Sequence, residues 1–203
     1  MKPVKVLSMR RAGTHFLRDS LFNNFYLKWA DPKIMHPVPD SSVVLDLKKN
    51  YNCILIIRDP IHNLISLYRF FKQSKNKAYW KDIDNRSFSE WLAGKTIVSD
   101  KLPDRWIKSC FEDPIKHWVD MSYLVDFNFY TVKYEDLRDN FNETLEKIEA
   151  DLGWERKYVH FHKSEKNNAP KGTGPMVSWS YEDLLRLHII AGERLKQLNY
   201  GDI

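Results

Sequence analysis

The sequence predicts an α/β fold in which a central, mainly parallel sheet is flanked by helices. One observation is the continuous apolar run Cys53-Ile54-Leu55-Ile56-Ile57, which is typical of a strand buried on both faces in a parallel sheet. Another is the alternation of strand, polar turn and helix along the chain, which is typical of crossover units. The chain has 203 residues, the length of one domain, so we predict a single domain over residues 1–203.

The first quarter of the chain predicts a strand followed by a helix. Val4–Ser8 contains β-branched residues and predicts the strand. A helix is expected from Thr14, because apolar side chains recur at helical spacing as far as Tyr26. Three prolines then break the chain around His36, which predicts a loop. The next segment, Val43–Leu47, fits either a helix or a strand.

The middle of the chain predicts helices after the buried strand. Pro60 suits the first turn of a helix that Asp59 can cap. The polar segment Lys72–Asp84 predicts an exposed loop. Ser87, followed three residues later by a glutamate, matches a capping box that opens another helix. Pro114 opens a further one.

The last third predicts one more strand and two helices. Phe129–Val132 is the predicted third strand. Phe141–Leu152 is a predicted helix, and the glycine that follows it is expected to end it in a left-handed conformation. His160–Gly174 is expected to be a basic loop. Ser180, with an aspartate three residues later, is expected to cap a last helix that runs to Leu195.

Composition limits the class of protein. Hydrophobic residues form 43% and charged residues 29% of the chain, which excludes disordered and collagen-like proteins. No apolar run approaches the roughly 20 residues that span a bilayer, and the N-terminus lacks the apolar core of a secretion signal. Two cysteines are too few for a disulfide framework or a structural zinc site. We therefore expect a cytoplasmic protein. Its net charge of +5 fits an anionic ligand but also an ordinary surface.

Two turns that follow predicted strands contain residues suited to binding an anion. The first, from Ser8 to Phe16, combines two arginines, a glycine and a helix start, which together suit a phosphate. It lacks the Gly-Lys-Ser/Thr signature of nucleotide triphosphatases. The second begins at Arg58, and Ser66 follows two helical turns later, so that a guanidinium and a hydroxyl can grip one phosphate. The alternatives are a helix start with two surface arginines, and a structural ion pair between Arg58 and Asp59.

Taken together, the two turns resemble the sulfotransferase family, which uses 3′-phosphoadenosine 5′-phosphosulfate. Three segments carry the resemblance, and they occur in the family's order and approximate spacing. They are Arg11-Ala12-Gly13-Thr14-His15-Phe16-Leu17, Arg58-Asp59-Pro60 through Ser66-Leu67-Tyr68, and Tyr134-Glu135-Asp136-Leu137. The resemblance spans roughly Val4–Leu152, and it implies the P-loop-NTPase-like sulfotransferase fold.

The resemblance implies a binding site for the sulfate donor and its product, adenosine 3′,5′-bisphosphate. We expect no metal ion, because cationic side chains and a helix N-terminus can neutralise the negative charge. The first turn is expected to hold the 5′-phosphosulfate, and Arg58 with Ser66 the 3′-phosphate. Phe16 and Tyr134 are expected near the adenine. The residues of this implied site are Arg10, Arg11, Ala12, Gly13, Thr14, His15, Phe16, Arg58, Ser66, Tyr134, Lys171 and Gly172.

The sequence departs from the family pattern at several of these positions. Ala12 stands where serine is usual, and His15 where a hydroxyl residue is usual. Arg10 stands where proline is common, so that either Arg10 or Arg11 faces the 5′-phosphate. The family's C-terminal Arg-Lys-Gly loop is matched only by Lys171 and Gly172.

A hydroxyl acceptor must lose a proton as it attacks sulfur, and histidine is the natural base near neutral pH. Ile34-Met35-His36-Pro37 resembles the segment that carries the base in cytosolic sulfotransferases, so His36 is the first candidate. His15 is the second, because the resemblance puts it near the transferred group. Arg11 is expected to neutralise the charge that grows on the bridging oxygen.

Three other functions stay open on the sequence. They are a kinase acting on a small molecule, a basic aromatic-rich module that binds nucleic acid through its C-terminal loop, and a sulfotransferase fold that has lost activity. The expected partner is a saccharide or small-molecule acceptor, and nucleic acid is not expected. The sequence predicts neither the acceptor nor the oligomeric state.

Overall fold

The computed structural model describes residues 2–37, 39–73, 81–96, 105–163 and 177–201. The strands are β1 (Val4–Ser8), β2 (Trp29–Met35), β3 (Asn52–Ile57) and β4 (Tyr130–Lys133). The helices are α1 (Thr14–Asn24), α2 (Ser41–Asn50), α3 (Pro60–Gln73), α4 (Phe88–Leu92), α5 (Arg105–Glu112), α6 (Pro114–Ser122), α7 (Tyr134–Asp139), α8 (Phe141–Leu152) and α9 (Tyr181–Gln197). None of the helices in these ranges is long and apolar enough to cross a membrane.

The chain divides into two compact units. The first consists of Met1–Asp59 and Tyr123–Gly172, and it contains the sheet with α1, α2, α7 and α8. The second consists of Pro60–Ser122 and Thr173–Ile203, and its described elements are helical.

The sheet of the first unit is parallel throughout, with strand order β2-β1-β3-β4. All five residues of β1 are buried, and so are the four residues Ile54–Ile57 of β3. Burial of a central strand on both faces explains why apolar residues predominate in these two segments, with Lys5 and Ser8 as the polar exceptions in β1. The predicted α/β class with a mainly parallel sheet is confirmed.

Several predicted boundaries agree with the structure. β1 has the predicted bounds, and α1 begins at Thr14 as expected. β4 starts one residue later than predicted and ends one residue later. The helix Phe141–Leu152 is confirmed, and Gly153 ends it at a φ of 62° in the left-handed region that favours glycine. Of the two alternatives for Val43–Leu47, the structure has the helix α2.

The predicted loop around His36 is wrong for its first part, from Pro32 to Met35. Trp29–Met35 forms β2, which pairs with β1, and His36 follows directly after its last residue. β2 lies at the edge of the sheet, and an edge strand tolerates a proline such as Pro32 because one side of it needs no ladder hydrogen bonds. The pairing with β1 also shifts register between Val4 and Val6.

The helices of the second unit pack around large buried aromatic side chains. Trp91, Trp118, Phe71 and Phe111 are each at most 1% exposed, and the rings of Phe71 and Phe111 lie 4.3 Å apart between centroids. Rings of this size bury more apolar surface than other side chains, so they dominate the energetics of such a core. Arg194 is also buried, and its guanidinium donates to the carbonyl and hydroxyl of Ser122 at the end of α6.

Two predictions for the second unit need correction or extension. The end of the expected loop Lys72–Asp84 overlaps a 3₁₀ helix, Lys81–Asn85, in which the Ile83 side chain is buried. Residues 74–80 lie outside the described residues. The helix α5 has no counterpart among the sequence predictions. The helix start at Pro114 is confirmed.

Both predicted capping boxes are confirmed, at Ser87 and at Ser180. At the start of α9, the Ser180 hydroxyl accepts a hydrogen bond from the Asp183 amide at 3.1 Å. The Asp183 carboxylate accepts from the Ser180 amide, and also from the Ser89 hydroxyl at 2.5 Å. The box therefore both caps α9 and ties it to α4.

We expect Ser180→Ala to lower the free energy of unfolding by about 1 kcal/mol, because the Asp183 amide loses its acceptor. Urea unfolding followed by circular dichroism measures the change. Ser41→Ala is the matched control, since Ser41 is an exposed residue in the first turn of α2, where Asp40 is the cap. Equal losses in the two variants would contradict the capping role of Ser180.

Candidate active site

The loop that joins β1 to α1 has an unusual backbone. Arg11 has a φ of 64° and Gly13 a φ of 91°, so both lie in the left-handed region. That region is strained for a non-glycine residue, and it costs about 1–2 kcal/mol. Among the described residues, no side chain caps α1 at Gly13, and its first turn has no acidic residue. The amide groups at this helix start therefore suit an anion.

Tyr134, the first residue after β4, holds this loop in place. A Cβ atom built on Gly13 would lie 2.3 Å from Cδ2 of Tyr134, so only glycine permits this approach of the backbone to the ring. The guanidinium carbon of Arg58 lies 4.4 Å from the centroid of the same ring. Arg58 Nη1 also donates to the Arg11 carbonyl at 3.2 Å. Arg58, which follows β3, is thereby fixed against the loop after β1.

His36, the first residue after β2, is hydrogen-bonded to Ser8 at the end of β1. Its Nδ1 lies 2.9 Å from the Ser8 carbonyl oxygen and 3.0 Å from the Ser8 hydroxyl. The Ser8 hydroxyl is also 2.5 Å from the hydroxyl of Thr14 at the start of α1. Ser8 thus connects the predicted base to the predicted phosphosulfate loop through one buried hydroxyl.

The site carries positive charge that is poorly solvated. Desolvation by burial lowers the pKa of Arg58, against the smaller raising effects of Tyr134 and Glu135. Arg11 is more exposed as a whole residue, yet desolvation of its guanidinium lowers its pKa as well. Both groups stay protonated at neutral pH, because arginine titrates far above it. A cation that has lost water gains from an anionic ligand, so the electrostatics favour one here.

Glu135 holds the turn that follows β3 in place. One of its carboxylate oxygens accepts a hydrogen bond from the Asp59 amide at 3.2 Å. The negative charge of Glu135 also stabilises the charged form of Arg58 and partly offsets the lowering of its pKa by desolvation. The Tyr-Glu pair after β4 therefore positions both the loop after β1 and the turn after β3.

The other predicted site residues differ in accessibility. Arg10 is half-buried, Ala12 is buried, and His15 is exposed in the first turn of α1. Phe16 is only 6% exposed, since its ring meets Tyr134 edge-on and stacks on Phe141. Its assignment near adenine stays a prediction.

Three predicted residues belong to the second unit or fall outside the described residues. Ser66 is half-buried in α3, which belongs to the second unit, and its phosphate contact stays a prediction. Lys171 and Gly172 fall outside the described residues.

Sequence reasoning missed three residues at the site. The sequence places Ser8 at the end of a strand and the start of the first turn, but it does not predict that the Ser8 hydroxyl joins His36 to Thr14. The guanidinium of Arg138 lies 5.8 Å from the Tyr134 ring centroid. Lys163 donates to the Arg138 carbonyl at 2.8 Å, with its ammonium group 5.8 Å from the ring centroid of Phe16. In the sequence, Ser8 could have been noticed because it ends a predicted strand. Arg138 and Lys163 could have been noticed only because they are basic.

Within the described ranges, no group of three or more His, Cys, Asp or Glu side chains is arranged to hold a metal ion. The charged groups that the structure brings together at this site are mainly arginines.

The sulfotransferase domain family matches residues 27–168 of the chain. The chain belongs to this family. The match includes His36, Arg58 and Tyr134, and it begins after the loop between β1 and α1. The family that the motifs predicted is therefore confirmed over more than half of the sequence.

A solved structure is also similar to this sulfotransferase-family chain. It is the crystal structure of mouse sulfotransferase SULT7A1 complexed with PAP, at 13% sequence identity and a TM-score of 0.48. The similarity covers 92% of this chain and 62% of that chain, so this chain spans less than two thirds of the mouse protein's length. No curated protein matches the sequence.

We expect Gly13→Ala to destabilise the protein more than Gly153→Ala, by about 1–3 kcal/mol, because overpacking adds to backbone strain. Both glycines have a positive φ, but a Cβ on Gly153 would meet nothing within 4 Å. Gly153→Ala thus measures the backbone cost alone. Urea unfolding of both variants measures the difference, and equal losses would refute the close packing of Tyr134 on Gly13.

Proposed function

We propose that this protein transfers the sulfuryl group of 3′-phosphoadenosine 5′-phosphosulfate to a hydroxyl or amine of a saccharide or a small molecule. The observation that carries the proposal is the position of His36, which is hydrogen-bonded to Ser8 at the end of β1. His36 and the loop between β1 and α1 thus meet at the carboxyl edge of a parallel sheet, where α/β proteins bind ligands. Membership of the sulfotransferase family supports this reaction class.

The chemistry of the loop fits the donor. Its groups are guanidinium cations, backbone amides and a hydroxyl, which suit the oxygens of phosphate and sulfate. We assign Arg11, Gly13 and Thr14 to the 5′-phosphosulfate, and Arg58 with Ser66 to the 3′-phosphate. When bound, the donor supplies an activated sulfuryl group.

The hydrogen bond to Ser8 determines which nitrogen of His36 acts as the base. A carbonyl oxygen only accepts, so Nδ1 must carry a proton when it contacts the Ser8 carbonyl at 2.9 Å. In the neutral ring the lone pair then resides on Nε2. The protein backbone thereby selects the tautomer in which Nε2 accepts a proton.

Each residue then has its own role in an in-line displacement at sulfur. His36 Nε2 takes the proton of the acceptor hydroxyl as the hydroxyl oxygen bonds to sulfur. Arg11 and the start of α1 stabilise the negative charge that stays on the bridging phosphate oxygen when its bond to sulfur breaks. The Ser8 and Thr14 hydroxyls keep the base and the loop in one geometry.

We expect His36→Ala to lower turnover by about 10²–10⁴-fold with little change in nucleotide affinity, because only the general base is lost. Transfer of radiolabelled sulfate to an acceptor measures turnover. His188→Ala is the control, since His188 is exposed on α9.

Unchanged turnover in His36→Ala would exclude His36 as the base. If His15→Ala abolished turnover instead, the exposed imidazole in the first turn of α1 would take that role.

We expect Arg58→Ala to weaken binding of adenosine 3′,5′-bisphosphate by about 1.5–3 kcal/mol, the value of a charged hydrogen bond. Calorimetric titration measures the affinity. Adenosine 5′-phosphate, which lacks the 3′-phosphate, should lose less. Arg186→Ala is the control, because Arg186 is a half-buried arginine on α9.

Equal losses for the two nucleotides would refute the contact between Arg58 and the 3′-phosphate. If the unmodified protein bound neither nucleotide, or bound ATP with magnesium more tightly, the proposed function itself would be wrong.

A further inference from the structure

Arg138, on helix α7, lies beside the same aromatic ring as Arg58. The guanidinium carbon of Arg138 is 5.8 Å from the centroid of the Tyr134 ring, and that of Arg58 is 4.4 Å from it. The two guanidinium carbons are therefore no more than about 10 Å apart. They reach this ring from the turn after β3 and from the helix after β4, two neighbouring strands of the sheet.

The positive charges at this edge of the sheet affect one another. Desolvation by burial is the largest effect on the pKa of Arg58 and lowers it. Tyr134 and Glu135 raise that pKa by smaller amounts, and the positive charges of Arg11 and Arg138 lower it again. Like charges held this close repel each other, and an anion that contacts them relieves the repulsion.

The position of Arg138 follows from the path of the chain after β4. Helix α7 begins at Tyr134, and residues four apart lie on the same face of a helix, so Arg138 lies over Tyr134. Leu137 is fully buried and anchors the helix, while Lys163 Nζ donates to the Arg138 carbonyl at 2.8 Å. The backbone that carries Arg138 is thus held before any ligand binds.

The Arg138 side chain is accessible to a ligand. It is 44% exposed, whereas Arg58 is half-buried. Its Nε and Nη2 donate to the two carboxylate oxygens of the neighbouring Asp139, at 2.7 and 2.6 Å. A guanidinium has five N–H donors, so this bidentate pair occupies only some of them.

We propose that Arg138 binds the 3′-phosphate of the nucleotide together with Arg58, an inference that rests on the proposed function. A phosphate monoester carries close to two negative charges at neutral pH, so a single arginine does not neutralise it. Guanidinium groups form strong, charge-assisted hydrogen bonds to phosphate oxygens. Arg138 is a guanidinium on the ring against which Arg58 is held, and its exposed side chain can turn towards a phosphate bound at Arg58.

The neighbour of Arg138 then has the opposite effect on binding. The Asp139 carboxylate pairs with the guanidinium, and its negative charge repels a phosphate that approaches the same group. An ion pair with a purely structural role would lose the same interaction when either partner is removed. If Arg138 binds the phosphate, loss of Arg138 weakens nucleotide binding, whereas loss of the Asp139 charge strengthens it.

Calorimetric titration with adenosine 3′,5′-bisphosphate tests this inference. We expect Arg138→Gln to weaken binding about fivefold to tenfold, between the effect of a surface ion pair and that of a buried charged hydrogen bond. Asp139→Asn is expected to tighten binding about twofold to fivefold, because the competing carboxylate is removed. The affinity for adenosine 5′-phosphate, which lacks the 3′-phosphate, should change less than about twofold in both variants.

A second ion pair of the first unit provides the matched control. The Arg156 guanidinium, after α8, donates through Nε and Nη2 to the two carboxylate oxygens of Glu149. Arg156→Gln and Glu149→Gln should leave both nucleotide affinities unchanged. Arg138→Lys keeps the charge without the planar fork, so it should recover part of the affinity that Arg138→Gln loses.

Three results would overturn the inference. One is unchanged binding of adenosine 3′,5′-bisphosphate in Arg138→Gln. Another is an equal loss of affinity for the two nucleotides in that variant. The third is weaker binding in Asp139→Asn, which would assign the ion pair a structural role.

These results differ from a failure of the proposed function. If the unmodified protein bound no adenosine 3′,5′-bisphosphate, the proposed function would be wrong, and this inference with it. If the unmodified protein bound the nucleotide tightly and Arg138→Gln bound it equally well, only the role of Arg138 would be wrong.

Discussion

The packing of the Tyr134 ring against the backbone of Gly13 is the contact on which the candidate site depends. The strand order places β1, β3 and β4 side by side, so the turns that follow them emerge at one edge of the sheet. Tyr134 then fills the space between the loop after β1 and the guanidinium of Arg58. A side chain on Gly13 would push these groups apart. The conformation of the loop after β1 and the position of the Arg58 charge thus depend on the same steric constraint.

Much of the fold could be predicted because burial leaves a strong mark on sequence. β1 and the Ile54–Ile57 part of β3 are covered on both faces, so apolar residues predominate in them and both strands could be found in the sequence. β2 left no such mark, since Ala30 is its one buried residue and Pro32 interrupts its pattern. Its strand conformation comes from pairing with β1, a contact between distant segments that local propensity does not encode.

The candidate site was predictable in part for a related reason. A polar turn directly after an apolar run stands out, so the arginines, Gly13 and Arg58 could be found in the sequence. Family resemblance then pointed to His36. Ser8 could not be recognised as the link between His36 and Thr14, because that role depends on two contacts across different elements. Lys163 is similar, since its place near Phe16 arises from the path of the chain after α8.

The composition of β2 also bears on solubility. In the sheet of the described residues, β2 pairs with β1 on one side, and its other side is an open edge. Such an edge can recruit a strand from another molecule and start aggregation. Asp31, Pro32 and Lys33 are all exposed in the middle of this strand. The proline offers no amide hydrogen, and the two charges resist desolvation, so the edge is a poor template for a further strand. The residues that obscured β2 in the sequence are thus the ones that make its free edge a poor partner for another strand.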